Sequence, residues 1–219
     1  ESWLVNKKFS VYSVLFITGL TSLAMEVAWV RGFTPVLKTT IYSFAMILAA
    51  YLFSTLLGAQ LYRRHLNRHK TISSIKIIGA CFIFSLFPIF LGNPNINPTA
   101  PILLASILPL CMSLGYLTPK LIDQISGGSP NEAGRAYAIN IFGGILGPLF
   151  AGYFLIPQFG VKLTLILLSI PYGVVFFNLA HSTEVSRVFK WTIGMTGTLG
   201  TIISVFFITG SEIPPTTGK

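Results

Sequence analysis

The residue that invites a chemical reading first is Glu26, in the stretch MEVAWVRG from Met25 to Gly32. It stands near the end of a long apolar run, and an isolated carboxylate in hydrocarbon is costly unless it faces a bundle interior, is protonated or is paired. Two cations offer themselves. Arg31 follows by five positions, about 140° around a helix, so a direct pair requires the helix to loosen near Gly32. Lys38 lies beyond the same end. Two roles stay open: a structural pin between the first two helices, or a substrate or ion-coupling site built from Glu26, Arg31 and Lys38.

Other chemistry is sparse. His65 and His69 are four apart in a basic stretch, a spacing that can share a helical face. No carboxylate or Cys accompanies them, so no metal site is expected. Asn140 and Asn178 read as hydrogen bonds that hold helices together, and Cys81 and Cys111 as reduced packing residues. The chain has six acidic residues, with no nucleophile–His–acid set, Walker loop or dinucleotide fingerprint. No catalytic residue and no cofactor is assigned.

These residues must be positioned by elements that live in lipid. Hydrophobic residues make up 53% of the chain and charged ones 10%, with a mean hydropathy of +0.74, whereas soluble domains carry about 25% charge. The fold class is all-α and integral to a membrane. The net charge of +9 is explained by loops at anionic headgroups, so no nucleic-acid partner is implied. Apolar runs of helical length fall at 9–30, 41–62, 72–91, 101–117, 137–156, 163–180 and 191–209, which is about seven transmembrane helices. The organisation is therefore an N-terminal segment 1–8, a helical domain 9–209 and a polar tail 210–219 that reads as a linker; a start at Glu1 suggests processing or a longer parent.

Orientation follows from the basic residues. With the N-terminus cytoplasmic, the inner segments hold Lys7, Lys8, Arg63, Arg64, Arg68, Lys70, Lys76, Lys120, Arg135, Arg187 and Lys190, leaving Arg31, Lys38, Lys162 and Lys219 outside. That asymmetry puts the N-terminus inside and the C-terminus outside. Arg63, Arg64, Arg68 and Lys70 are then headgroup contacts. The Asn-Pro steps of 91–100 suit a tight outer turn, and the polar stretch 118–138 divides six helices into three and three. In the fifth run, Gly143, Gly147 and Ala151 recur every four residues, with Pro148 and Gly152 beside them. This is a small-residue face for close helix contact, with Pro148 able to bend it. Pro88, Pro171 and Gly173 are further candidate bends.

GAQLYRRHLNRHK (58–70) resembles the Gly-plus-basic signature between the second and third helices of major facilitator transporters, with Tyr62 near the place of the usual acid. GRAYAINIFGGILGPLFAGYFLIP (134–157) resembles their fifth helix. With GLTSLAMEVAWVRGF (19–33), the set is similar to the membrane portion of bacterial fused facilitator and spermidine-synthase-like proteins, over roughly residues 10–180. The resemblance implies a facilitator-like six-helix core plus one helix in a bacterial inner membrane, serving as anchor, scaffold or substrate conduit for a soluble domain. The Gly-rich nucleotide loop of such aminopropyltransferase-like domains does not occur here, so their activity is not carried over. Two alternatives stand beside that expectation: a small-solute transporter that completes its path as a homo-oligomer, with Glu26 as the coupling residue, and an accessory subunit of a larger membrane complex.

Overall fold

The computed structural model describes residues 2–37, 39–92, 98–182 and 186–209. They form α1 (Ser2–Leu37), α2 (Thr40–Asn67), α3 (Ser74–Phe84), α4 (Phe87–Leu91), α5 (Ala100–Ser126), α6 (Pro130–Phe150), a π-helical turn (Ala151–Leu155), α7 (Ile156–Ser182) and α8 (Arg187–Thr209), with no strand among the described residues. Five stretches are long and apolar enough to cross a bilayer: Ser10–Leu37, Ile41–Asn67, Ser74–Leu91, Ala100–Ser126 and Pro130–Ala180. This is an all-helical membrane protein.

Several boundaries differ from those read off hydropathy, because helices continue past their apolar cores. The first helix begins at Ser2, within the segment 1–8 that the sequence set apart. The long polar connection expected at 118–138 is mostly helix: α5 runs to Ser126 and α6 starts at Pro130. The turn between them is made by Gly127 in the left-handed region, whose N–H caps the Asp123 carbonyl, with Pro130 in the first turn of α6. The third apolar run is interrupted at Ser85 and Leu86. Pro88 lacks an N–H and crowds the carbonyl of Phe84, which accounts for the break. Pro148 is followed within three residues by the π-helical turn, where the backbone re-forms its bonds with a longer reach. Gly160 (φ 71°, ψ 174°) breaks the long helical stretch that follows. Pro171 sits inside the helical part of α7 that follows Gly160, without a break of its own. Residues 93–97 of the expected outer turn, Lys38 and the tail 210–219 lie outside the described residues.

Packing is organised by two seams. α1 makes its most extensive contact with α6, and α2 with α5. In both seams the helices run parallel: Phe16 and Leu20 meet Gly143 and Gly147 in order, and Ser54 and Gly58 meet Leu108 and Met112 in order. α3 packs on α5 and α7, while α8 lies against α7 and α3. The core between them is filled by wholly buried large side chains, among them Leu15, Met25 and Trp29 of α1, Ile47 of α2, Ile107 and Leu110 of α5 and Phe176 of α7.

The two seams are built alike. A Cβ added at Gly143 would overlap the Phe16 carbonyl oxygen, and one at Gly19 the Asn140 carbonyl oxygen. In the other seam, Gly58 stands in the same way against Met112, and Gly115 against Thr55. Each seam thus has a reciprocal pair of glycines, one from each helix, in which each glycine's partner carbonyl lies three residues before the opposing glycine; in the α1·α6 seam Gly147 adds a further close approach, to the Leu20 carbonyl. Only a residue without a side chain allows backbones this close, and in lipid such packing replaces the hydrophobic force that drives helices together in water. Exchanging α1, α2 and α3–α4 for α5, α6 and α7 turns one seam into the other. It also turns the α1·α7 contact into α5·α3 and α1·α2 into α5·α6, all of which are present.

Candidate functional site

Between the seams lies a cleft with a volume of about 450 Å³, walled by α1, α2, α5 and α6. Its polar lining comes from all four: Thr18 and Ser22, Tyr51 and Thr55, Thr118, and Tyr137 and Asn140. The seams decide this placement. With Gly19 and Gly115 pressed against the neighbouring backbones, Ser22 and Thr118, three residues on from each glycine, come to the wall of one cleft. Asn140 donates from Nδ2 to the Leu15 carbonyl at 2.8 Å, tying α6 to α1 at the cleft floor. Thr55 spends its hydroxyl on the carbonyls of Tyr51 and Leu52 in its own helix.

The cleft is open on one side. Leu52, Leu56 and Tyr137 on its lips are 55%, 54% and 55% exposed. It continues along α1 through a cavity of about 210 Å³ lined by Gly19, Ser22, Leu23, Tyr51, Tyr137 and Asn140. Leu23 is shared with a third cavity of about 340 Å³, whose walls include Glu26, Val27, Arg31, Phe44 and Pro148. Three adjoining cavities therefore follow α1 from Thr18 to Arg31, polar in the middle of the bundle and holding a carboxylate and a guanidinium at the far end.

The structure brings Glu26 and Arg31 to the wall of one cavity, and among the described residues neither forms an ion pair or a hydrogen bond with the other. Lys38, the third of that group, lies outside the described residues. Gly143 and Gly147 stand in the α1·α6 seam, and Ala151 is fully buried in the π-helical turn. Pro148 lines the cavity of Glu26. A Cβ at Gly152 would meet open space. Arg63, Arg64, Arg68 and Lys70 are exposed around the end of α2.

His65 and His69 do not share a helical face. α2 ends at Asn67, and His69 adopts φ 51° as the N–H groups of His69 and Lys70 fold back on Leu66 and His65. His65 pairs through Nδ1 with the Tyr116 hydroxyl at 3.1 Å, and the same oxygen accepts the Ile72 N–H at 3.0 Å. Asn178 donates to the Val174 carbonyl in its own helix. No cluster of three metal-ligating side chains occurs among the described residues.

Reading along the chain picked out one wall residue of the main cleft, Asn140, and missed Ser22, Tyr51, Thr118 and Tyr137. The available signal was the repeated pattern of a glycine followed three residues later by a hydroxyl, Gly19 to Ser22 and Gly115 to Thr118. Compared with known protein families, curated proteins and solved structures, the chain matches none.

Proposed function

We propose that the chain is a facilitator-like membrane module that binds a small polar solute in the cleft between its two seams and conducts it along α1 towards Glu26 and Arg31. The single observation that carries this reading is the set of adjoining cavities, which lines a path through an apolar bundle with hydroxyls, an amide and a carboxylate. Transporters built from internal repeats hold their sites near mid-membrane where the repeats meet. The matched glycine seams support such a three-plus-three arrangement, with α1, α2 and α3–α4 as one half and α5, α6 and α7 as the other. Their parallel directions agree with one crossing per element. The Gly160 break in the Pro130–Ala180 stretch supports counting a fifth and a sixth crossing there, and on this reading α8 supplies a seventh.

On this reading the protein sits in a bacterial inner membrane with its N-terminus cytoplasmic, and Glu26 is the coupling or solute-binding carboxylate. The open side of the cleft cannot face lipid with its polar wall exposed, since polar groups in hydrocarbon are costly. A second copy or a fused partner covers it, in the setting of the facilitator and spermidine-synthase-like fusions that the sequence resembles.

Aqueous access is the requirement that experiment can test. In a background lacking Cys81 and Cys111, Ser22→Cys and Thr118→Cys should both react with a hydrophilic, membrane-impermeant thiol reagent in native membranes, while Ser106→Cys in the packed core should not. Reaction of the two cleft cysteines with lipid-soluble reagents alone would overturn the conduit.

A further inference from the structure

A second large cavity, of about 510 Å³, lies on a different face, between α2, α3 and α5. Its walls are almost wholly apolar: Phe53, Leu57 and Leu61 from α2, Ile77, Ala80 and Phe84 from α3, and Leu108 and Met112 from α5. The three wall hydroxyls ask nothing of a ligand. Ser54 donates to the Leu108 carbonyl at 2.6 Å, Ser113 to the Pro109 carbonyl at 2.8 Å, and Tyr116 is engaged by Ile72 and His65. From Phe53 to Leu61 the slot follows α2 for about 12 Å, parallel to the helices. Its rim is open, with Phe53 60% exposed.

One end of this slot is built differently. There Ile72 and Lys76 form the mouth. The backbone of Ile72 is held from both sides by α5, its N–H by the Tyr116 hydroxyl and its carbonyl by the amino group of Lys120. Ser74 is tied to Gln124, and Tyr62 to Asp123, beside it. The mouth is therefore fixed, while the Lys76 side chain is exposed and its amino group makes no hydrogen bond or ion pair among the described residues. Arg63, Arg64, Arg68 and Lys70 stand exposed at the same end of α2. Asp123, the acid near this mouth, already accepts the Tyr62 hydroxyl.

We infer that this slot is a binding site for an anionic phospholipid, with one acyl chain lying between α2, α3 and α5 and the phosphate at Lys76. The apolar walls fit a hydrocarbon chain running along the membrane normal. The charge of the mouth selects the headgroup, and the fixed Ile72 backbone sets the boundary between the two. A solute dissolved in water has no free polar group to meet between these apolar walls.

The test uses delipidated, detergent-purified full chain and measures binding by native mass spectrometry together with the melting temperature. The probes are phosphatidylglycerol, phosphatidylcholine with the same acyl chains, and glycerol phosphate. Phosphatidylglycerol should bind about fivefold more tightly than phosphatidylcholine, as one basic residue at a headgroup predicts, and should raise the melting temperature, while glycerol phosphate should do neither. Lys76→Gln should remove the preference between the lipids. Ala80→Phe, which fills the slot, should remove tight binding of both, with Met112→Trp at the rim serving the same purpose if the first variant does not fold. An equal effect of glycerol phosphate would reduce the site to a surface anion patch. Equal binding of the two lipids, or an undiminished effect in both slot-filling variants, would overturn the assignment and leave the slot to a partner protein.

Discussion

Three carboxylates fall among the described residues, and two regions of the molecule treat them in opposite ways. At the basic end, Tyr62 donates to Asp123 Oδ2 at 2.8 Å and Tyr12 to Glu132 Oε2 at 2.7 Å. Arg135 lies 5.7 Å from the centre of the Tyr12 ring, so the second tie carries a cation as well. Each tie joins two helices, α2 to α5 and α1 to α6, the same pairs that form the glycine seams. Towards the other end, the Glu26 carboxylate has no hydrogen bond among the described residues, and the residue lines a cavity instead. The difference separates two uses of an acid in a membrane bundle. Asp123 and Glu132 tie the helices of the two seams through charge-assisted hydrogen bonds, which are stronger than neutral ones. Glu26 lines a cavity with no such tie, which is the arrangement the proposed solute-binding role requires.

Substituting the seams themselves is the most severe way to break this comparison. Gly147→Leu and Gly58→Leu should both abolish monodisperse, folded protein in detergent, because each adds a side chain where a carbonyl oxygen of the facing helix already stands. Pattern alone marks Gly147 as the critical position and reads Gly58 as part of a loop signature; the structure puts the two on an equal footing. Size-exclusion profiles that stay normal for Gly58→Leu would show that the α2·α5 seam is not the counterpart of α1·α6. Gly152→Leu provides the contrast, since nothing stands near its added Cβ, and it should elute like the parent.

A smaller effect is expected at the tied acids. Tyr62→Phe leaves Asp123 without its donor and should cost about 1.5–3 kcal/mol, the range for a hydrogen bond to a charged group. A lowered melting temperature for this variant, with unchanged oligomeric state, is the expected reading; an unshifted melting curve would remove the distinction between the two ends. Tyr12→Phe should behave similarly but more mildly, because Arg135 remains near Glu132.

The smallest change in stability should come from Glu26→Gln, within about 0.5 kcal/mol of the parent, as no described partner loses a bond. Its consequence should appear elsewhere, as loss of solute binding or flux with the fold intact. A Glu26→Gln protein that melts several degrees lower would return Glu26 to the role of a pin, and Lys38 would then be the partner to examine first.

How much of this was legible along the chain varies by level. The apolar runs located the helices because the hydrocarbon sets a length and excludes unpaired backbone groups, and both conditions act locally. The clustering of Gly143 and Gly147 was visible because small residues at helical spacing have few other uses in lipid. Gly58 and Gly115 were not read as a seam, since each stands alone in its helix and acquires its role from the other, 57 positions away. The cleft was hidden for a related reason. Ser22 and Thr118 are ordinary hydroxyls in apolar helices, of a kind that often bond back to their own backbone, as Ser22 itself does to the Gly19 carbonyl and Thr21 to that of Ile17.

By itself, then, the sequence determined the apolar solvent, the helical class and the approximate places of the helices long and apolar enough to cross it. These follow from summed transfer free energies that depend on composition over about 20 residues at a time. The tertiary structure alone decided which helices pair, which glycines touch and which polar groups share a cavity. In water an apolar stripe tells a helix which face is buried. In lipid both the bundle side and the lipid side are apolar, so facing is settled by steric fit between backbones distant in sequence. That fit brings Ser22 and Thr118 into one cleft, ties Asp123 to Tyr62, and leaves Glu26 in the wall of a cavity.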